Sequence, residues 1–384
     1  MRRIYLDHNA TTPLRPEALA AMLAALEAPS NPSSVHAEGR RGKAILENAR
    51  TTIARALGAA PRNLTFVSGA TEAANFLLDP ALKSGRDGAA FDVLLIGAGE
   101  HPAVLQGGHF PPEAVETIPF ARDGALDLAA LAAAIDRRAG FRPLLALQAV
   151  NNETGVVQPV GAAAEMIRAA GGALICDASQ AVGRLPATFA VTGADILFFS
   201  SHKLGGPAGA AAIVAASETI RLPPASIRGG GQEFGRRAGT ENVAAIAGFA
   251  AAFVAATDGM AAEAVRLGAF RDRIERTVSQ IAPEAIFFGR EAQRAPNASA
   301  FAIPGVNAQT LLMALDLAGV AVSSGSACSS GKVRESHVLA AMGATEKAAI
   351  RVSLGWTTGA EDVDHFETVF GNVVNQIRFR RSAV

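Results

Sequence analysis

A carboxylate and an amine each stand directly after an apolar run. Asp177 follows the run 173–176, and Lys203 comes 26 residues later, after the run 195–199 and before a glycine-rich stretch. Taken alone, Asp177 also suits a helix cap or a turn, and most lysines lie on the surface. Together they are the pair that pyridoxal 5'-phosphate requires, because an amine binds its aldehyde and a carboxylate keeps its ring nitrogen protonated.

Such a cofactor also needs donors for its phosphate. The segment 68–72 follows the apolar residues 65–67 and precedes a helix-like run, 73–78. Free N–H groups at a helix start, at Ala70 and Thr71 with its hydroxyl, favour an anion. A plain helix N-cap is the alternative for this segment. Ser200 and His202 are further donors of a suitable type.

Four more polar residues follow or interrupt apolar runs. His101 either stacks on a ring and relays protons near neutral pH, or has only a structural role. The amides of Asn152 and Gln180 suit a substrate carboxylate or a ring oxygen. Arg351 lies inside the apolar run 350–354 and needs an anionic partner. A substrate carboxylate and an internal salt bridge both satisfy that need.

The chain has two cysteines, too few for a disulfide framework or a four-cysteine zinc site. Cys176 ends an apolar run, which indicates a core thiol. Cys328 lies among serines, glycines and an alanine in 323–331. We expect an open loop there, whose thiol is placed to react, although composition alone leaves an unreactive thiol equally open.

The length and composition of the chain limit the number of domains and the kinds of partner that we expect. The 384 residues predict two domains or three, and 49% hydrophobic content allows a large core. The counts of basic and acidic residues are equal, 35 each, which argues against nucleic acid or an anionic membrane as the main partner. The N-terminus lacks the apolar stretch of a signal peptide, and the run 243–256 is short for a spanning helix. We therefore predict a cytoplasmic protein.

The elements that must position these residues alternate along the first two thirds of the chain. Buried strands are expected at 92–97, 144–150, 173–176, 195–199 and 210–215, with helices at 126–138 and 160–170. This alternation is typical of an α/β domain with a mainly parallel sheet, whose ligands bind at the carboxyl ends of the strands. From 259 onward a second, smaller domain is expected, with a long helix at 263–280 and strands at 298–303 and 319–322.

Considered together, these motifs resemble the cysteine desulfurases of the NifS/IscS type, within the class V aminotransferase family of pyridoxal phosphate enzymes. The resemblance rests on the segments 5–12, 31–36, 68–72, 100–104, 150–157, 177–180, 201–203, 229–233, 239–242, 323–330 and 336–339. It implies the fold type I of pyridoxal phosphate-dependent transferases. The implied domains are a large cofactor-binding domain, 15–258, and a smaller α+β domain, 259–384, against which the N-terminal segment 1–14 packs.

The resemblance also implies roles for the residues. Lys203 would hold the cofactor and act as a base, Asp177 would pair with the ring nitrogen, and His101 would stack on the ring. The remaining groups would be Gln180 on the ring oxygen, Thr71, Ala70, Ser200 and His202 at the phosphate, and Asn152 and Arg351 on the substrate carboxylate. Thr240 would reach the phosphate of a partner subunit, which implies a homodimer.

The implied reaction converts L-cysteine to alanine and leaves a persulfide on Cys328. A protein such as an iron–sulfur scaffold would then accept the sulfur. Selenocysteine lyase is one alternative, since the same residues would serve it. An aminotransferase is another, but it would not need the thiol of Cys328.

Overall fold

The computed structural model describes residues 2–85, 88–106, 108–324 and 335–382. Within these ranges the chain forms fourteen strands, β1 to β14: Ile4–Tyr5, Leu64–Val67, Lys83–Ser84, Ala89–Ala90, Val93–Gly97, Val115–Ile118, Pro143–Gln148, Ala173–Asp177, Ile196–Ser200, Ala211–Ala215, Ile286–Phe287, Ala298–Ala302, Val320–Ala321 and Ile350–Ser353.

The same ranges contain twelve α-helices, α1 to α12: Pro16–Leu26, Ala37–Leu57, Ala70–Leu77, Pro102–Leu105, Leu128–Arg137, Val160–Ala169, Phe189–Thr192, Val243–Asp258, Met260–Ile281, Ala308–Leu317, His337–Ala341 and Ala360–Ser382. No single helix there is long and apolar enough to cross a membrane. Only α8 and α9 taken together, which meet at 72°, reach that length and composition.

A seven-stranded sheet forms the centre of the larger part of the chain. Its strand order is β2-β10-β9-β8-β7-β5-β6, and only β10 runs against its neighbours. Helices cover both faces, so successive residues of β8 belong to different cores: Leu174 and Cys176 to one, Ala173 and Ile175 to the other. Burial on both faces explains the continuous apolar runs. The predicted α/β fold with a mainly parallel sheet is confirmed.

Most predicted elements differ from the observed ones by one to three residues at their ends, and three of them are typical examples. The run 144–150 leaves the sheet at Gln148, because the Asn151 side chain accepts hydrogen bonds from the backbone of the next turn. The predicted helix 126–138 begins at Leu128, where the Asp127 carboxylate caps it. The helix expected at 73–78 starts three residues earlier, at Ala70. Local side-chain capping and turn geometry decide these boundaries.

The C-terminal part has its own sheet and its own core. Strands β11, β12 and β14 form an antiparallel sheet, which packs with α9, α10 and α12 around residues such as Phe301 and Phe370. Strand β1 pairs in parallel with β13, and a bridge joins Asp7 to Ser353. The start of the chain therefore lies beside the strand that carries Arg351.

Candidate active site

A cavity of about 480 Å³ lies where the parallel strands of the main sheet end. The register of the sheet sets Gln148 opposite Asp177 and Asp177 opposite Phe198, so the ends of β7, β8 and β9 meet at one edge. The cavity is lined by Asp7, Asn9, Ala10, Ser68, Gly69, Ala70, Thr71, His101, Ala103, Gln148, Val150, Asn152, Asp177, Ser179, Gln180, Ser200, His202, Lys203, Ala208, Gly209, Ser323 and Arg351.

Lys203 ends a 3-10 turn that directly follows β9. Its Nζ donates hydrogen bonds to the carbonyl oxygens of Asn9, at 2.6 Å, and Ala10, at 2.8 Å. Burial, together with the positive charges of Arg351 and Arg184, lowers its pKa to about 8. Near neutral pH a larger fraction of this amine is therefore uncharged than in an ordinary lysine, and the uncharged amine is the form that attacks a carbonyl.

Asp177 is the last residue of β8 and lines the same cavity as Lys203. Its Oδ1 accepts a hydrogen bond from the Ser179 backbone at 2.9 Å, so the turn contact that we considered as the alternative is also present. Burial raises its pKa, and the neighbouring His101 and Lys203 oppose that shift. A nearby cation or protonated ring nitrogen would favour the ionised carboxylate.

Glu100 is a further carboxyl group near this edge and is completely buried, and sequence analysis did not single it out. Its Oε1 accepts a hydrogen bond from the Gln148 backbone at 2.7 Å, while its Oε2 has no partner among the described residues. Burial, with a contribution from the charge of Asp177, raises its pKa well above the ordinary value. The surroundings therefore favour the neutral acid more than water would.

His101 lines the cavity and caps the short helix α4. Its Nδ1 accepts a hydrogen bond from the Ala103 backbone at 3.1 Å, so in the neutral ring the proton is on Nε2. Burial lowers its pKa. The structural and functional interpretations of this histidine are therefore compatible.

The start of α3 forms the end of the cavity suited to an anion. Gly69 precedes the helix and provides no side-chain cap, which leaves first-turn N–H groups for a ligand. The Ala70 N–H donates to the Ser200 hydroxyl at 2.9 Å, and Thr71 lines the cavity beside them. Burial, then the charges of Lys203 and Arg184, lower the pKa of His202 to about 4. His202 is thus neutral at physiological pH.

Arg351 lies on β14 and lines the same cavity. Its guanidinium forms a salt bridge of 2.7 Å with Asp7 and donates to the Asn152 carbonyl at 3.0 Å. The internal salt bridge that the sequence left open is therefore present. Asn152 lines the cavity as well. The Nε atom of Arg351 has no hydrogen-bond partner among the described residues.

The side-chain amide of Gln180 forms two hydrogen bonds. Its Oε1 accepts a hydrogen bond from Arg184 at 2.7 Å, and its Nε2 donates to the Asn9 carbonyl at 3.0 Å. Sequence reasoning missed the contributions of Arg184, Asp7 and Asn9. The only available signal was that Asp7 and Asn9 fall within the N-terminal segment that resembles the family.

The structure brings together all the predicted site residues except two. Thr240 is exposed and does not line this cavity. Cys328 lies outside the described residues, whereas Ser323, shortly before it in the chain, lines the cavity. The second cysteine, Cys176, is completely buried, and burial raises its pKa well above the ordinary value, as expected of a core thiol.

Comparisons with known proteins agree with this geometry. The family model for aminotransferase class-V matches residues 4–366. A cysteine desulfurase of Cereibacter sphaeroides is 40% identical over 98% of this chain and 97% of its own length. A cysteine desulfurase of Frankia sp. is 38% identical over 98% and 92%. The solved structure of a NifS-like protein from Rickettsia africae superposes with a TM-score of 0.86, at 31% identity over 97% of this chain and 100% of that one. The chain belongs to the class-V aminotransferase family.

Proposed function

We propose that the protein is a pyridoxal 5'-phosphate-dependent cysteine desulfurase. The observation that carries this proposal is the half-buried amine of Lys203, with its lowered pKa, in one cavity with the half-buried carboxyl of Asp177. Relatives with 38% and 40% identity, which are named cysteine desulfurase, support it.

The donor set fits the cofactor. When bound, pyridoxal phosphate supplies an electron sink for the substrate's α-carbon. Lys203 would hold its aldehyde and would later move a proton at Nζ, Asp177 would bind the ring nitrogen, and His101 would stack on the ring. Gln180 would bond the ring oxygen, and Ala70, Thr71, Ser200 and His202 would hold the phosphate.

Arg351 and Asn152 bind the α-carboxylate of L-cysteine in this proposal. The guanidinium is already oriented by Asp7, so less side-chain freedom is lost when the substrate binds. The sulfur then moves to the Cys328 thiolate: an S–S bond forms, the carbon–sulfur bond breaks, and its electron pair goes with a proton to the substrate carbon. The products are alanine and a Cys328 persulfide.

The proposal extends to the organisation of the protein. Residues 15–258 form the cofactor-binding domain, and residues 259–384 a smaller domain against which 1–14 packs. Because Thr240 is exposed and outside the cavity of its own chain, it is available to a second subunit. The working unit is a homodimer in the cytoplasm. A protein such as an iron–sulfur scaffold takes the sulfur, and neither nucleic acid nor a membrane is a partner.

The first experiment removes the amine. Wild-type protein should absorb visible light from bound pyridoxal phosphate, and Lys203→Ala should lose that chromophore and all sulfide release from L-cysteine. Lys43→Ala, which removes an exposed lysine of α2, is the matched control and should keep both. Wild-type protein that binds no pyridoxal phosphate would refute the cofactor assignment.

The second experiment separates the possible reactions. Cys328→Ala should keep the chromophore and lose sulfide release from L-cysteine, whereas Cys176→Ala should keep both. Products are quantified with L-cysteine and with L-selenocysteine. Release of selenide alone would indicate selenocysteine lyase, and transfer of the amino group to a keto acid would indicate an aminotransferase.

A further inference from the structure

Arg184 joins three segments of the active site. Its guanidinium donates hydrogen bonds to the Gln180 side chain at 2.7 Å and to the Gln180 carbonyl at 3.1 Å. It also donates to the carbonyls of Lys203, at 3.0 Å, and His8, at 3.3 Å. All four acceptors are uncharged. Within the described part of the chain, no carboxylate forms an ion pair with it.

These contacts fix the orientation of the Gln180 side-chain amide. A guanidinium only donates hydrogen bonds, and the Asn9 carbonyl only accepts them. The amide oxygen must therefore face Arg184, and the amide nitrogen must face Asn9. One N–H of Gln180 remains, and Gln180 lines the cavity. The amide consequently offers the cavity a donor, suited to an anionic oxygen.

Arg184 also contributes charge where the site has little to balance it. Removal from water, with repulsion by Arg351, lowers its pKa to about 10. Its own charge in turn helps to lower the pKa of Lys203 and of His202. A cation that remains unpaired in the protein is best balanced by an anionic ligand.

We propose that Arg184 is a positioning residue, which orients the Gln180 amide so that its free N–H donates to the ring oxygen of the cofactor. The inference rests on the proposed binding of pyridoxal phosphate. It assigns Arg184 no contact with the reacting atoms, so its effect must pass through Gln180.

A double-mutant cycle tests this dependence. The dissociation constant of pyridoxal 5'-phosphate is measured by titrating the full-length apo-protein of the wild type, Arg184→Met, Gln180→Ala and the double variant. Arg184→Met should weaken binding about five- to tenfold, the effect of one hydrogen bond, but less than about twofold in the Gln180→Ala background. Arg184→Lys, which still donates to the amide oxygen, should restore most of the affinity.

Arg15→Met is the matched control. Arg15 also donates to a carbonyl near Lys203, that of Leu204 at 3.0 Å, but it does not contact Gln180. Its effect on affinity should be the same with and without Gln180. If Arg184→Met does not fold, Arg184→Ala replaces it in the cycle, because alanine likewise offers no donor to the Gln180 amide oxygen.

The outcomes distinguish the two proposals. Equal losses for Arg184→Met in both backgrounds, or no rescue by Arg184→Lys, would overturn the role of Arg184 while leaving the cofactor assignment intact. A wild-type protein that does not bind pyridoxal phosphate would instead refute the proposed function itself. Coupling between Arg184 and Gln180 with intact wild-type binding supports both.

Discussion

Two arginines, Arg50 and Arg184, differ in whether their guanidinium group meets a counter-charge. Arg50 is 1% exposed, and its guanidinium pairs with Glu233 through contacts of 2.7 and 2.8 Å. It also lies over the rings of Phe66 and Phe234. Arg184, by contrast, meets only uncharged acceptors. The first charge is balanced within the protein, whereas the second is not.

The difference separates a structural ion pair from a ligand site. The Glu233 carboxylate also accepts a hydrogen bond from the Phe66 backbone at 2.7 Å, and the pair holds a turn in which Glu233 and Phe234 have φ of 49° and 59°. That conformation is unfavourable for residues with side chains. Around the cavity, the pKa values of Lys203, Asp177 and Glu100 are instead displaced by burial. A buried charge that has its counter-charge beside it is satisfied within the fold, whereas charged groups without such a partner in a cavity indicate a ligand site.

The largest effect on stability should come from breaking the balanced pair. Glu233→Gln keeps the size of the side chain but leaves Arg50 without a counter-charge, so the free energy of unfolding should fall by about 3–5 kcal/mol. Urea denaturation measures it. Glu218→Gln is the control, because Glu218 pairs with Arg62 at the surface with a side chain 53% exposed, and its effect should stay within about 0.5 kcal/mol. If both variants lost a similar free energy of unfolding, the proposed difference between the buried and the exposed ion pair would be wrong.

The amine of Lys203 should titrate far from the ordinary range. In the apo-protein, burial favours its uncharged form, so half-maximal acylation is expected near pH 8 rather than near pH 10.5. Peptide mass spectrometry after brief labelling at a series of pH values gives the profile, with the exposed Lys43 as an internal reference. A Lys203 profile centred near pH 10.5 would show that the amine is not desolvated.

Glu100→Gln should stabilise the apo-protein relative to wild type as the pH rises. The pKa of Glu100 is raised in the folded state, so above pH 4.5 the folded chain retains a proton that the unfolded chain has lost. Wild-type stability therefore falls as the pH increases through that window, whereas glutamine stays neutral. The difference in melting temperature between Glu100→Gln and wild type is measured between pH 5 and pH 8. A difference that becomes smaller as the pH rises would contradict the raised pKa of Glu100.

The smallest effect is expected for Cys176→Ala. This thiol is completely buried in the core and lines no part of the cavity. Its removal should cost about 1 kcal/mol of unfolding free energy and leave the rate of sulfide release unchanged. A large loss of that rate in a folded variant would place Cys176 within the reactive region.

Much of the site could be predicted from local sequence. Asp177 and Lys203 stand directly after apolar runs, and such runs are buried strands whose carboxyl ends meet at one edge. The same reasoning placed His101, Asn152 and the start of α3. Helix and strand ends were less predictable, because single caps such as Asp127 decide them.

The sequence by itself determined the alternating α/β order, the family resemblance and the residue types available at the sheet edge. Only the tertiary structure decided their partners. Arg351 pairs with Asp7, 344 residues away, and Lys203 binds the carbonyl of Asn9, 194 residues away. No local periodicity encodes such contacts, since they form only when the N-terminal segment packs across the cavity. The orientation of the Gln180 amide depends on the same packing, and so does the balance of charge around it.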